Sequence, residues 1–215
     1  MKLESNKGQL KHLKGHTLPK DKIIFWDTSF VIDVLLSPTI DRIEELKAKD
    51  INDDEKKELH NLQFTMHRHN VAVDFLKELI KENINVAFSS ILFHEVYFAL
   101  KYNELDKVYK DREITRKKLY ENPKILANHI DNIMTNWNLF MGLLSKFKGR
   151  VFPITPSEPN IIKETLRICS TYGLHPSDSI HMGTILAGGK KDVVVFDNVF
   201  KDVALAEGLN VWYKV

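Results

Sequence analysis

Residues 174–200, LHPSDSIHMGTILAGGKKDVVVFDNVF, decide the fold. The hydroxyl of Ser177 predicts the start of a helix, since serine is a favoured helix N-cap. Gly188 and Gly189 predict its end, because glycine accepts the left-handed conformation that commonly closes a helix. The apolar run 193–196 follows without a polar break and predicts a strand buried on both faces. This stretch therefore predicts a helix followed by a strand of a parallel sheet.

Two carboxylates flank these elements. Asp178 stands near the start of the predicted helix, and Asp197 follows the predicted strand directly. In an open α/β sheet, ligands bind outside the carboxyl ends of the strands. Both side chains are therefore candidates for a functional site at that edge.

Two further acids follow the same rule in other parts of the chain. Asp27 follows the apolar run 22–26 and precedes a helical pattern, so it is either a helix cap or a catalytic residue. Glu95 lies in the second turn of the helix predicted after the strand 85–88, among mostly apolar neighbours. An ionised carboxylate on a packed helix needs a partner, a cation or water. Glu95 is therefore interpreted as a functional residue.

Strands that alternate with helices predict an α/β fold, a three-layer α/β/α sandwich around a central, mostly parallel sheet. At 215 residues the chain suits one large domain, assigned to residues 22–215. Two helical inserts are predicted within it, at 39–83 and 103–150. Basic and tyrosine residues at the start of the second insert indicate either a nucleic-acid face or an ordinary solvated helix.

The overall charge is small, but the N-terminus is basic. The net charge is +2, and residues 1–22 hold six lysines against two acids. Residues 1–21 are predicted to be a basic arm, either a frayed terminus or an arm that contacts phosphates. No apolar run suits a membrane span or a signal peptide, and Cys169 is the single cysteine, so a cytoplasmic protein is expected.

Four acids in one cleft would require a counterion. Two unit charges about 4 Å apart cost roughly 4 kcal/mol at an effective dielectric of 20. Several ionised pairs therefore need a cation, or some of the carboxyls bind protons. Ligand sets made only of oxygen select hard ions, so Mg²⁺ or Mn²⁺ is the expected cofactor.

The order of these acids resembles that of the PIN-domain ribonucleases, and of the VapC-type toxins in particular. The matching residues are Asp27 before Thr28 and Ser29, Glu95 in the helix after the second strand, Asp178 at a helix start, and Asp197 between Phe196 and Asn198. The resemblance covers residues 22–36, 84–101 and 151–215. It leaves out both inserts and the N-terminal arm.

The resemblance implies a PIN-like fold and Mg²⁺- or Mn²⁺-dependent cleavage of RNA. Asp27, Glu95, Asp178 and Asp197 match the catalytic and metal-binding acids, with Thr28 and Asn198 as supporting polar residues. It also implies a homodimer and, for the toxin branch, an antitoxin protein as partner. The alternatives are a DNA nuclease and a nucleic-acid-binding or scaffolding module without catalysis.

Overall fold

The computed structural model describes residues 8–12, 18, 23–37, 40–109, 117–118, 121 and 123–213. One six-stranded sheet forms the centre, and all of its strand pairs are parallel. Its strand order is β1-β6-β5-β2-β3-β4. The strands are β1 (Leu10–His12), β2 (Ile23–Trp26), β3 (Asn85–Ser89), β4 (Val151–Ile154), β5 (Asp192–Val195) and β6 (Asn210–Tyr213). The predicted α/β class is confirmed.

Helices connect the successive strands from β2 to β6. They are α1 (Thr28–Leu35), α2 (Ile40–Lys47), α3 (Asp53–Lys81), α4 (Ile91–Tyr109), α5 (Ile130–Ser145), α6 (Pro159–Tyr172), α7 (Pro176–Ala187) and α8 (Asn198–Ala206). A 3₁₀ helix, Pro123–His129, precedes α5. No helix in the described ranges is long and apolar enough to cross a membrane.

The central strand β2 shows how the two faces of the sheet are covered. Phe25 meets the ring of His181 from α7 edge-on, with centroids 6.4 Å apart. The next residue, Trp26, packs against Phe30 of α1 and against Phe147 after α5. Successive strand residues point to opposite faces, so helices lie on both sides of the sheet. This is the predicted three-layer arrangement.

The insert predicted at 39–83 contributes to the core. The apolar side of the C-terminal half of α3 is buried, at Val71, Ala72, Phe75, Leu76 and Leu79. Phe75 contacts Phe30 of α1 and Trp212 of β6, so α3 packs against both elements. The N-terminal half of α3 and α2 carry ion pairs at the surface, with Arg42 bound to Glu58. The C-terminal half of α3 is therefore part of the core.

The insert predicted at 103–150 also packs against the core. Phe140 and Ile133 of α5 are buried, and Phe140 contacts Phe93 of α4. In the basic part, Lys107 binds the buried carboxylate of Glu104. The other basic residues of this stretch are either exposed, at positions 117 and 118, or lie outside the described residues, at 110, 112 and 116.

The N-terminal arm predicted for residues 1–21 needs a correction at its centre. Residues 10–12 form β1, which pairs with β6 and is the outermost strand of the sheet on that side. Lys11 stabilises this pairing, because its ammonium lies 3.5 Å from Asp192 and 5.0 Å from the ring centroid of Trp212. Residues 1–7, 13–17 and 19–21 of the predicted arm lie outside the described residues.

Candidate active site

Asp27 occupies the junction between β2 and α1. It is the N-cap of α1, and its Oδ2 accepts hydrogen bonds from the Ser29 amide (3.1 Å) and the Ser29 hydroxyl (2.5 Å). The Ser29 hydroxyl also accepts a bond from the Phe196 amide, which ties this turn to the end of β5. From the sequence, capping and catalysis were alternatives for Asp27. The structure shows that Asp27 caps the helix and still lines a cleft.

Asp197 occupies the equivalent position after β5. It is the N-cap of α8 and accepts a hydrogen bond from the Phe200 amide at 2.8 Å. Asn198, predicted to support the site, is not among the residues that line the cleft. Its Oδ1 accepts a hydrogen bond from the Tyr213 hydroxyl at 2.5 Å, which connects α8 to β6.

Asp178 lies in the first turn of α7. The prediction that Ser177 caps this helix is wrong. His175 is the N-cap, and its Nδ1 accepts a hydrogen bond from the Ser177 amide at 3.4 Å. A helix N-terminus favours negative charge, which stabilises a carboxylate in the first turn. Burial and the charges of Asp27 and Glu95 act in the opposite direction and raise the pKa of Asp178 to about 6.

Glu95 is held by two groups from other elements. Its Oε2 accepts a hydrogen bond from the Thr28 hydroxyl of α1, and His181 Nε2 of α7 lies 2.7 Å from the same oxygen. Although burial acts against ionisation, the contacts with His181 and Thr28 outweigh it and lower the pKa of Glu95. Glu95 therefore has the partners that an ionised carboxylate on a packed helix needs, and Thr28 is one of them.

His181 was not identified from the sequence. Its side chain is buried, and its Nε2 lies 3.1 Å from the Thr28 hydroxyl. Burial opposes the imidazolium, but the bond to Glu95 and the charges of Asp27 and Asp178 outweigh it and raise the pKa of His181. A signal was present in the sequence, because positions three apart on a helix share a face and His181 follows Asp178 at that spacing.

One cleft of about 700 Å³ brings together all four predicted acids. They come from the ends of β2 and β5, from the second turn of α4 and from the first turn of α7. Burial, opposed by the nearby His181 and Ser29, raises the pKa of Asp27, and the charge of Glu95 adds to this rise. Within the described ranges no lysine or arginine forms an ion pair with any of the four. Among the described basic residues, only His181 forms an ion pair with one of the four, Glu95.

The cleft provides carboxylate oxygens that, among the described residues, form an ion pair only with His181. Such a donor set fits a hard divalent cation such as Mg²⁺ or Mn²⁺. In the described part of the chain, no three His, Cys, Asp or Glu residues form a group that could hold a metal ion as they stand. Since Asp27 caps a helix and Glu95 is bound to His181, the carboxylates would have to turn toward one another to share an ion.

No protein-family model, curated protein or solved structure matches this chain.

Proposed function

We propose that the chain is an endoribonuclease that depends on Mg²⁺ or Mn²⁺ and hydrolyses RNA phosphodiester bonds in the acidic cleft. One observation carries this proposal: Asp27, Glu95, Asp178 and Asp197, from four separate segments, line one cleft. The cleft lies where the strands β2 and β5 end, the position at which parallel sheets bind ligands.

The electrostatics of the cleft favour catalysis over a purely structural role. The pKa of Asp178 is raised to about 6, partly by the charges of three other carboxylates. A fold that only binds a partner has no need to keep this repulsion, whereas active sites commonly concentrate such perturbed groups. A bound divalent cation would offset the repulsion.

Asp27, Asp178 and Asp197 would hold the cation, because they surround the cleft and have no Lys or Arg partner among the described residues. A divalent cation bound there would supply Lewis-acid chemistry, activating water and stabilising charge on phosphate oxygens. Glu95 is kept ionised by Thr28 and His181, so its carboxylate can accept a hydrogen bond from the attacking water. His181 acts as a positioning residue for Glu95.

RNA as the substrate rests on the resemblance of the ordered acids to PIN-domain ribonucleases. The alternating parallel α/β architecture agrees with that resemblance. The cleft has a volume of about 700 Å³ and is open to solvent.

The proposal is tested by cleavage of a 5′-labelled, single-stranded RNA in Mg²⁺ or Mn²⁺. We expect Asp27→Asn to abolish cleavage, since it removes one charge from the ligand set. The variant should still fold, because the asparagine side-chain oxygen can accept the two bonds from Ser29 that cap α1. Asp74→Asn, at an exposed carboxylate of α3, is the matched control and should cleave normally.

Cleavage by purified Asp27→Asn at the wild-type rate, or by wild-type protein in excess EDTA, would contradict the proposal. The same gel, run with DNA of equal sequence, separates a ribonuclease from a DNA-directed enzyme. Preference for DNA would overturn the assignment of RNA.

A further inference from the structure

Three aromatic rings form a ladder along one side of α4. His94, Phe98 and Tyr102 are spaced four residues apart, so they lie on one face of the helix. The ring centroids of His94 and Phe98 are 4.6 Å apart, and those of Phe98 and Tyr102 are 5.9 Å apart. We call these three residues the aromatic ladder. All three line the same cleft as the four acids.

The aromatic ladder is distinct from the core packing of α4. A neighbouring side of the helix carries Phe93 and Tyr97, which pack against Trp137 of α5. The ladder rings instead face the cleft, and His94 is exposed while Phe98 and Tyr102 are half-buried. Packing of the hydrophobic core therefore does not explain why aromatic residues occupy these three positions.

The ladder begins beside the acids and extends away from them. His94 is next to Glu95 in sequence, and Tyr102 lies two helical turns further on. At a rise of 1.5 Å per residue, the distance along the helix axis from position 94 to position 102 is about 12 Å. This length suits a few nucleotides of an extended single strand that leads away from the acids.

We propose that the aromatic ladder is a base-stacking platform that binds two or three unpaired nucleotides next to the bond to be cleaved. This inference rests on the proposed function, because it assigns the strandedness of the substrate to a surface of the same cleft. Base–aromatic stacking tolerates every base, since each has a π-face. Bases within a duplex stack on each other and cannot reach the rings, so the ladder selects single strands.

A cation stands beside the rings. The ammonium of Lys101 lies 5.3 Å from the ring centroid of Phe98 and 4.3 Å from that of Tyr97. A positive charge at this place complements a phosphate backbone whose bases rest on the neighbouring rings. Single-strand-binding proteins commonly combine a positive charge for the backbone with aromatic rings for the bases.

The experiment measures binding in the Asp27→Asn background, with a gel to verify that the RNA stays intact. Fluorescence anisotropy compares a single-stranded RNA 10-mer with an abasic 10-mer, which has the same phosphates and no bases. We expect Phe98→Leu to weaken binding of the RNA by about tenfold and of the abasic strand by less than about twofold. Phe98→Trp should bind the RNA at least as tightly as the unmodified ladder.

Two controls keep structural effects apart from stacking. Phe64→Leu changes a half-exposed phenylalanine of α3 that does not line the cleft, and it should leave RNA binding unchanged. Thermal unfolding checks that Phe98→Leu folds, and Tyr102→Leu tests the ladder a second time if it does not. A duplex of the same sequence should bind weakly to every variant.

Equal weakening of RNA and abasic strand by Phe98→Leu, or no weakening of either, would overturn the inference. Because binding is measured without cleavage, the two proposals fail separately. If binding depends on the bases but the wild-type protein does not cleave RNA, the stacking platform is supported and the nuclease proposal is contradicted. Cleavage that is lost in Asp27→Asn, together with RNA binding that Phe98→Leu leaves unchanged, would support the nuclease and contradict the stacking platform.

Discussion

At the scale of single residues, the buried imidazole of His181 and the carboxylate of Glu95 are bonded at 2.7 Å across two helices. The pair explains how a glutamate can stay ionised on a packed helix. Sequence reasoning found Glu95, since a carboxylate among apolar residues is conspicuous, but it did not find His181. A histidine on the inner side of a helix has many structural uses, and only the tertiary contact between α4 and α7 distinguishes this one.

Asn198 illustrates the opposite error at the same scale. Its position after Asp197 predicted a side chain at the site, yet its oxygen binds the Tyr213 hydroxyl. Adjacent residues at a helix start point in different directions, because successive positions are about 100° apart around the helix axis. The sequence therefore predicted that Asp197 and Asn198 lie where the strand ends, but the direction in which each side chain points is known only from the structure.

Asp178 gives a prediction about pH. Its raised pKa of about 6 means that the folded protein holds this proton more tightly than the unfolded chain does. Stability contributed by the bound proton is present at low pH and is lost as the pH rises from about 4 to about 6. The side chain of Asp178→Asn is neutral at every pH, so the variant does not lose this stability as the pH rises. We expect urea unfolding in EDTA to show the variant more stable than wild type by about 1 kcal/mol at about pH 7.5, a value reduced for partial exposure to solvent.

At about pH 4 the two proteins should be equally stable, since both then carry a neutral side chain at position 178. A stability difference that is the same at both pH values would show that ionisation of Asp178 does not destabilise the fold.

At the scale of elements, the buried apolar strands could be predicted from the sequence, and the edge strand β1 could not. The runs that became β2 and β5 are fully buried over most of their length, as their continuous apolar character predicted. β1 has three residues and includes Lys11, so no periodicity could identify it. Its pairing with β6 depends on an ion pair and a ring contact with residues about 180 to 200 positions away. Such a long-range contact cannot be predicted from the pattern of neighbouring residues.

The contact between α6 and α7 depends on Gly183. A Cβ built there would stand 2.7 Å from the Thr165 amide nitrogen and 2.9 Å from its Cα, so the two helix backbones meet at this residue. We expect Gly183→Ala to destabilise the fold by about 1–3 kcal/mol, because overpacking forces backbone shifts. Since α7 carries Asp178 and His181, the variant should also disturb the cleft.

Gly142→Ala is the matched control for this prediction. Gly142 lies in α5, and a Cβ there meets nothing within 4 Å. The alanine should stabilise by about 0.5–1 kcal/mol, since glycine is a poor helix former. Denaturant unfolding of both variants measures the difference, and the same sign of effect at the two positions would contradict the packing argument.

At the scale of the whole molecule, the parallel sheet determines where the acids meet. β2 lies between β5 and β3, and all three run in the same direction. The turns that follow them, with Asp27, Asp197 and the start of α4, therefore share one edge. This convergence could be predicted from the sequence, because parallel strands place their carboxyl ends together. The orientation of each carboxylate could not be predicted, since capping bonds and the bond with His181 set it.

The central claim is that the cleft holds a divalent cation, and calorimetric titration with Mn²⁺ tests it most directly. We predict saturable binding by the wild-type protein, retained in Asp74→Asn and lost or strongly weakened in Asp27→Asn and Asp178→Asn. At a free Mn²⁺ concentration about 100-fold above the dissociation constant, the free energy of unfolding should rise by about 2.7 kcal/mol. Absence of saturable binding, or binding that Asp27→Asn leaves unchanged, would contradict the claim.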